Sequence, residues 1–193
     1  MPRTIRDPTV PERLSGAAAR AIAAHGVRGA TVRVIAAEAG VSTGSITHYF
    51  ADKNEIVEAA LAFTNRAAAG RVRGAVSGDE AALDRLRTVV EVMLPITPAR
   101  RREWQVWVAV WSEASGGGPL SISYKAAWNG LCDIVVELLD DARRHGELPA
   151  GTDTGRRADR LVTLLAGIGL LAGVEKPARV RELAEQLLAE ELA

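Results

Sequence analysis

The chain is poor in the residues that build disulfide scaffolds, metal clusters and sheets. It holds one cysteine, Cys132. A single thiol rules out an internal disulfide and a thiolate metal cluster, and it suits a reducing compartment such as the cytoplasm. Aromatic residues make up only 4%, and alternating apolar–polar runs are missing, so half-buried strands are not expected. No apolar run reaches the roughly 18 residues that a membrane helix needs. The nearest, residues 161–174, is cut by Thr163 and three glycines. No apolar segment follows Arg3 and Arg6, so a secretory leader is not expected. The three histidines, His25, His48 and His145, are scattered without metal-ligand spacing. No acid–base pair or nucleophile motif stands out, so neither a cofactor, a metal nor enzymatic chemistry is expected.

What is present is an ordinary globular composition, with 48% apolar and 25% charged residues among 193. That excludes wholesale disorder and leaves room for one large domain or two small ones. The formal net charge is zero, but the charge is unevenly spread. Residues 1–50 carry six arginines (Arg3, Arg6, Arg13, Arg20, Arg28, Arg33) against three acids (Asp7, Glu12, Glu38). A basic N-terminal piece on a slightly acidic body points to a polyanion partner at one end.

The apolar pattern is helical throughout. Leu14, Ala18, Ala21, Ile22 and His25 share one helical face, and Gly26 can end that helix. Thr31 is a good N-cap for a helix carrying Val32, Ile35, Ala36 and Ala39, with Gly40 as its stop. Ser42 or Thr43 caps a very short helix reaching Phe50. Asp52, with Glu55 three residues on, opens a longer one, and its first strong break falls at 74–79. Further helices are expected at about 80–94, 99–114, 121–145, 154–174 and 178–192. The class is therefore all-α, with about nine helices, divided into residues 1–55 and 56–193.

Residues 31–50, TVRVIAAEAGVSTGSITHYF, place two short helices around the three-residue turn Gly40-Val41-Ser42. That is helix-turn-helix spacing. The chain reverses at Gly40 and needs a residue tolerant of positive φ. Val41 would plug the angle, and Ile46, Tyr49 and Phe50 would bury the second helix. Thr43, Gly44, Ser45, Thr47 and His48 remain outward. They are small and hydrogen-bonding, with no acid among them, which suits a helix entering the major groove of DNA.

The pattern A-x-x-A-G-V-S-x-G-x-x-x-x-Y-F-x-x-K-x-x-[IL] is carried here by Ala36, Ala39, Gly40, Val41, Ser42, Gly44, Tyr49, Phe50, Lys53 and Ile56. It resembles the DNA-binding domain of the TetR family of transcriptional regulators. The resemblance implies a four-helix DNA-binding part, an all-α ligand-binding and dimerising body, and repression relieved by a small molecule. Tyr49 and Lys53 would then grip phosphates. Ser42 and Thr43 would contact backbone or bases, Thr47 and His48 would face bases, and Arg3 and Arg6 would lie on an arm near the minor groove. Thr31 and Arg33, at the start of the first helix of the motif, complete the candidate DNA contacts. In the body, E-W-x-V-W-V-A-x-W (Glu103 to Trp111), Trp128 and R-R-H-G-E-L (Arg143 to Leu148) are similar to the choline-responsive BetI-type branch. Members of that branch often carry an acid where Ala166 precedes Gly167 here, so the resemblance does not carry a ligand over.

Trp104, Trp107 and Trp111 fall at i, i+3 and i+7 on one helix, and Trp128 follows within 25 residues of the first. Two readings stay open: aromatic lining of an effector pocket, or large side chains filling a helix crossing. Tyr124, Asn129, Cys132 and Met93 are candidate pocket walls beside them. Glu103 and Glu113, the carboxylates next to the stripe, are expected to face solvent, and so is the run Arg100–Arg102. Cys132 lies among apolar neighbours and is expected to be inert rather than redox-sensing. His25 is expected to pack on the core at its helix end, and His145 to act as a favourable cation at a helix C-terminus. Leu161, Leu164, Leu165, Ile168 and Leu171 make a helix too apolar for one buried face. With Val180, Leu183, Ala184, Leu187 and Leu188 on the last helix, they suggest a homodimer interface through the last two helices.

The expected function is that of a ligand-responsive regulator binding a double-stranded DNA operator as a homodimer, released by an unidentified small molecule. The alternative is an all-α small-molecule-binding protein or enzyme on the same scaffold without DNA binding.

Overall fold

The structure is a computed structural model and describes residues 9–114 and 119–192. Arg3, Arg6 and the glycines at 116–118 lie outside the described residues. Among the described residues there are nine helices and no strand. They are α1 (Thr9–Gly29), α2 (Val32–Ala39), α3 (Thr43–Tyr49), α4 (Lys53–Val76), α5 (Ala82–Met93), α6 (Pro98–Ala114), α7 (Pro119–Arg144), α8 (Thr154–Leu171) and α9 (Pro177–Glu191). Two compact units result. The first comprises Met1–Arg66 with Gln105–Ser121, and the second Ala67–Trp104 with Ile122–Ala193.

The first unit is built by caps and a small core. Thr31 accepts from Val34 N at 3.3 Å and starts α2. Gly40 ends it at φ 66°, ψ 35°, a left-handed conformation that costs a side-chain-bearing residue roughly 1–2 kcal/mol. Ser42 starts α3 by accepting from Ser45 N at 3.2 Å. Asp52 accepts from Glu55 N at 2.9 Å, and Glu55 reaches back to Ala51 N at 2.6 Å. The reciprocal pair thus forms, with Glu55 satisfying the residue before the cap rather than the cap itself. Leu14, Ala18, Ile22, Ile35, Ile46, Phe50, Ile56, Val57 and Leu61 close the core together with Val106 and Val110 of α6. Ile46 is fully buried, and truncating such a residue to alanine typically costs about 2–5 kcal/mol.

His25 departs from expectation. It is exposed rather than packed on the core, because the non-helical Gly26 (φ 67°, ψ 173°) breaks α1 directly after it. The following helix also runs further than its glycines suggested. α4 passes through Gly74 to Val76, since a lone glycine costs only about 1 kcal/mol against alanine in a helix interior.

The second unit buries Leu86, Val89, Leu94, Val135, Leu138, Leu139, Leu161, Leu165 and Val180. α9 packs on α8 and α5. Long-range polar ties fix the frame. Ala81 makes no side-chain cap for α5. Glu147, some 65 residues on, supplies it instead, accepting from Ala82 N at 2.9 Å and Leu83 N at 3.0 Å. Asp141 accepts from Arg85 and also pairs with Arg144 at 3.2 Å and His145 at 3.1 Å. The bond from Arg85 and the charges of His145 and Arg144 hold the Asp141 carboxyl below the usual carboxylate range, against the effect of burial. The R-R-H-G-E-L stretch is thus a helix end together with a cap for α5.

Two expectations about charged side chains need correction. Glu103 is not solvated: it is half-buried and forks onto Arg71, whose Nη1 lies 3.0 Å from Oε1. In the run at 100–102, Arg102 alone is exposed. Arg100 turns its guanidinium back to the Glu91 carbonyl at 2.6 Å, and Arg101 is half-buried. A long aliphatic stem lets arginine cover apolar surface near a helix start.

Candidate nucleic-acid interface

α2, the Gly40 turn and α3 present one polar edge of the first unit. Thr43, Gly44, Thr47 and His48 are exposed, Ser45 and Tyr49 are half-buried, and Ile46 and Phe50 point into the core. A methyl group on Gly44 would meet Ser42 Oγ at 3.6 Å, ordinary contact. The fold therefore does not need glycine there, and the missing side chain leaves room for an outside molecule to approach. Thr47 Oγ1 donates back to the Gly44 carbonyl at 3.2 Å, and Ser42 Oγ lies 3.0 Å from Ser45 Oγ. These hydroxyls are held in place yet keep acceptor lone pairs for a ligand. The His48 ring stands edge-on to Tyr49, with centroids 5.3 Å apart and planes at 84°.

Beside this edge, Arg33 is exposed on α2 and Lys53 on α4. Lys53 Nζ donates to the Arg28 carbonyl at 3.2 Å, so it also closes the end of α1. Thr31 and Ser42 are committed as caps. Any contact they make to DNA is therefore coupled to helix formation. The structure brings all ten candidate DNA contacts onto one unit. Arg28, one basic residue among the six of the N-terminal piece, is exposed three residues ahead of the cap Thr31.

The candidate effector-binding residues divide. Trp107 and Trp111 belong to the first unit. Met93, Trp104, Tyr124, Trp128, Asn129 and Cys132 belong to the second. Trp107 Nε1 donates to Asn65 Oδ1 at 2.9 Å and packs on the first core, while Trp111 is 54% exposed. Trp104 Nε1 donates to the carbonyl of the buried Met93 at 2.7 Å. A methyl group on Gly169 would overlap the Trp104 ring, so that glycine is what lets α8 approach α6. Tyr124, Trp128 and Cys132 follow one face of α7 and are half-buried; Asn129 is exposed. Burial raises the Tyr124 hydroxyl. Burial first, then the charges of Asp159 and Asp133, raises the Cys132 thiol, which keeps it protonated and unreactive near neutral pH.

Among the described residues no helix is long and apolar enough to cross a membrane, and no group of ligating side chains suits a metal. A two-helix motif with a glycine turn, set in an all-α chain with a larger helical body, defines a helix-turn-helix protein.

The comparisons with known proteins agree. Residues 15–60 match the family model for bacterial regulatory proteins of the tetR family. Residues 82–193 match the model for the BetI-type transcriptional repressor C-terminal region. A Bacillus subtilis relative, the HTH-type transcriptional regulator PksA, is 26% identical over 94% of this chain and 87% of its own length. The HTH-type transcriptional regulator BetI of Burkholderia mallei is 35% identical over 67% of this chain and 69% of its own. A solved regulator from Saccharomonospora viridis in complex with choline superposes with a TM-score of 0.84. It is 27% identical, covering 92% of this chain and 93% of that one. The chain belongs to the TetR family of bacterial transcriptional regulators, with a BetI-type C-terminal region.

Proposed function

We infer that the chain is a repressor that holds a pseudo-palindromic operator as a homodimer and leaves it when a small molecule binds the body. One observation carries the reading: the outward edge of α3 is polar and free of acids over the exposed Thr43, Gly44, Thr47 and His48, with Ser45 half-buried beside them. Residues 1–55 read the DNA and residues 56–193 dimerise and sense. Two α3 helices about 34–36 Å apart enter successive major grooves. Effector binding tilts α4 and changes that spacing.

The α8 face supports the dimer. Leu164, Leu170 and Leu171 on α8, and Val174 in the turn after it, are all exposed in the single chain, and exposed apolar surface of this kind asks for a partner. On α9, by contrast, Val180, Ala184 and Leu187 already pack inside the chain. Leu183 and Leu188 are half-buried, and Glu182, Glu185 and Gln186 are exposed. The interface is therefore centred on α8, with α9 at its rim.

A family neighbour holds choline, which supports a small organic effector. This chain pairs the two carboxylates beside its tryptophan stripe internally, Glu103 with Arg71 and Glu113 with Arg28. Glu103, forked onto Arg71 and half-buried, offers a quaternary ammonium no free carboxylate, whereas the exposed Glu113 is held only loosely.

The test is fluorescence-anisotropy binding to the DNA upstream of the chain's own gene and to genome-selected fragments, at two salt concentrations. Selective binding that weakens with salt and is lost in Tyr49→Ala supports the reading. Absence of any selective fragment overturns it.

A further inference from the structure

We propose that Arg28 is an additional operator-phosphate contact and that Glu113 acts as its internal counterweight. This deepens the operator-binding reading and rests on it. Arg28 sits in the last turn of α1, three residues before the cap of α2. Its side chain is 94% exposed and pairs with Glu113 at 3.6 Å; Glu113 is itself 38% exposed. The Arg28 carbonyl accepts from Lys53 Nζ at 3.2 Å. Two cations therefore occupy the corner of the first unit from which α2 and α4 both begin. That corner adjoins the polar edge carrying Thr31 and Arg33.

An exposed carboxylate–guanidinium pair of this length is weak. A phosphodiester offers arginine a shorter, bidentate, charge-assisted bond. DNA arriving at this corner displaces Glu113 and takes the guanidinium. Until then Glu113 lowers the local positive potential. Glu113 belongs to the last turn of α6, within the same unit. Any shift of that helix end changes how firmly Arg28 is withheld from phosphate, and so tunes operator affinity without touching a base-reading side chain.

The experiment measures anisotropy binding of the full chain to a selected operator duplex and to an unrelated duplex, over a series of salt concentrations. The variants are Arg28→Ala, Glu113→Gln and the two combined. Both side chains are exposed, so helicity and melting temperature are expected to stay unchanged. Arg28→Ala should weaken binding roughly tenfold on both duplexes alike and lower the salt slope by about one. Glu113→Gln should tighten binding roughly twofold to fivefold, and that gain should vanish when Arg28 is absent. An unchanged salt slope in Arg28→Ala, or a Glu113→Gln gain that persists without Arg28, overturns the proposal while leaving operator binding intact. A wild-type chain that selects no duplex overturns both the operator reading and the Arg28 contact.

Discussion

The outer edge of α3 and the outer face of α8 are both surfaces without a partner in the single chain, and they differ in kind. α3 turns Thr43, Gly44, Thr47 and His48 outward. α8 turns out Leu164, Gly167, Leu170 and Leu171. The first exposes hydrogen-bonding groups that are comfortable in water, and its value appears only when a polyanion presents base edges and phosphates. The second exposes aliphatic surface that is costly in water, and its value appears when a matching apolar face covers it. Polarity alone thus separates a surface suited to reversible recognition from one suited to lasting assembly.

The largest expected effect breaks the second surface. Leu164→Glu with Leu171→Glu places two charges in the covered face, while both positions are exposed in the monomer. Burial of each leucine is worth about 1.5–3 kcal/mol, so sedimentation should show a monomer that keeps wild-type helicity. If this variant still sediments as the wild-type oligomer, the α8 interface is wrong.

The matching break in the first surface is Thr43→Glu. A carboxylate facing phosphate should lower operator affinity about a hundredfold, near 2.7 kcal/mol, while sedimentation stays unchanged. A variant that loses its oligomeric state together with DNA binding would mean that the two surfaces are not independent.

Gly169→Ala sharpens the comparison by acting on the inner face of α8. The added methyl overlaps the Trp104 ring, and overpacking of this kind typically costs about 1–3 kcal/mol. Thermal unfolding should shift down, and a Gly169→Ala, Trp104→Phe double variant should recover part of the loss. Equal melting of the single variant and the wild type would show that α6 and α8 yield easily.

The smallest effect is a pH dependence. The Arg85 bond, with the charges of His145 and Arg144, depresses the Asp141 carboxyl in the folded chain. A depressed folded value means that the contribution is present above the unfolded carboxylate value of about 3.9. It is lost as the pH falls through the lower folded value. The melting-temperature gap between wild type and Asp141→Asn should be open at neutral pH and close as the solution is acidified below about pH 4. A gap that stays constant with pH would assign the Asp141 effect to geometry rather than charge.

Much of the first unit was legible from residue types. Thr31, Gly40, Ser42 and the Asp52–Glu55 pair each act on partners within four residues, so local spacing alone announces the helix ends. Most of the outward set on α3 was legible for the same reason, but Ser45, expected outward, and Tyr49, expected to be buried, are both half-buried. The body was less legible. Its tryptophans share a helical period, yet Trp107 bonds Asn65 in one unit while Trp104 bonds the Met93 carbonyl and meets Gly169 in the other. Periodicity places side chains on a face and does not say what faces them. His25 was misplaced for a related reason: its period matched the buried stripe, but the break at Gly26 releases that end of α1.

The sequence by itself determined the order of the helices, the caps of α2, α3 and α4, the helix-turn-helix and the acid-free edge of α3, because those depend on neighbours a few residues away. Only the tertiary structure decided that Glu147 caps α5, that Glu103 answers Arg71, that α9 spends its apolar stripe inside the chain while α8 keeps one outside, and that Arg28 meets Glu113. Each of these joins residues far apart in the chain. Their meeting depends on how whole helices pack, and no local rule of spacing encodes that.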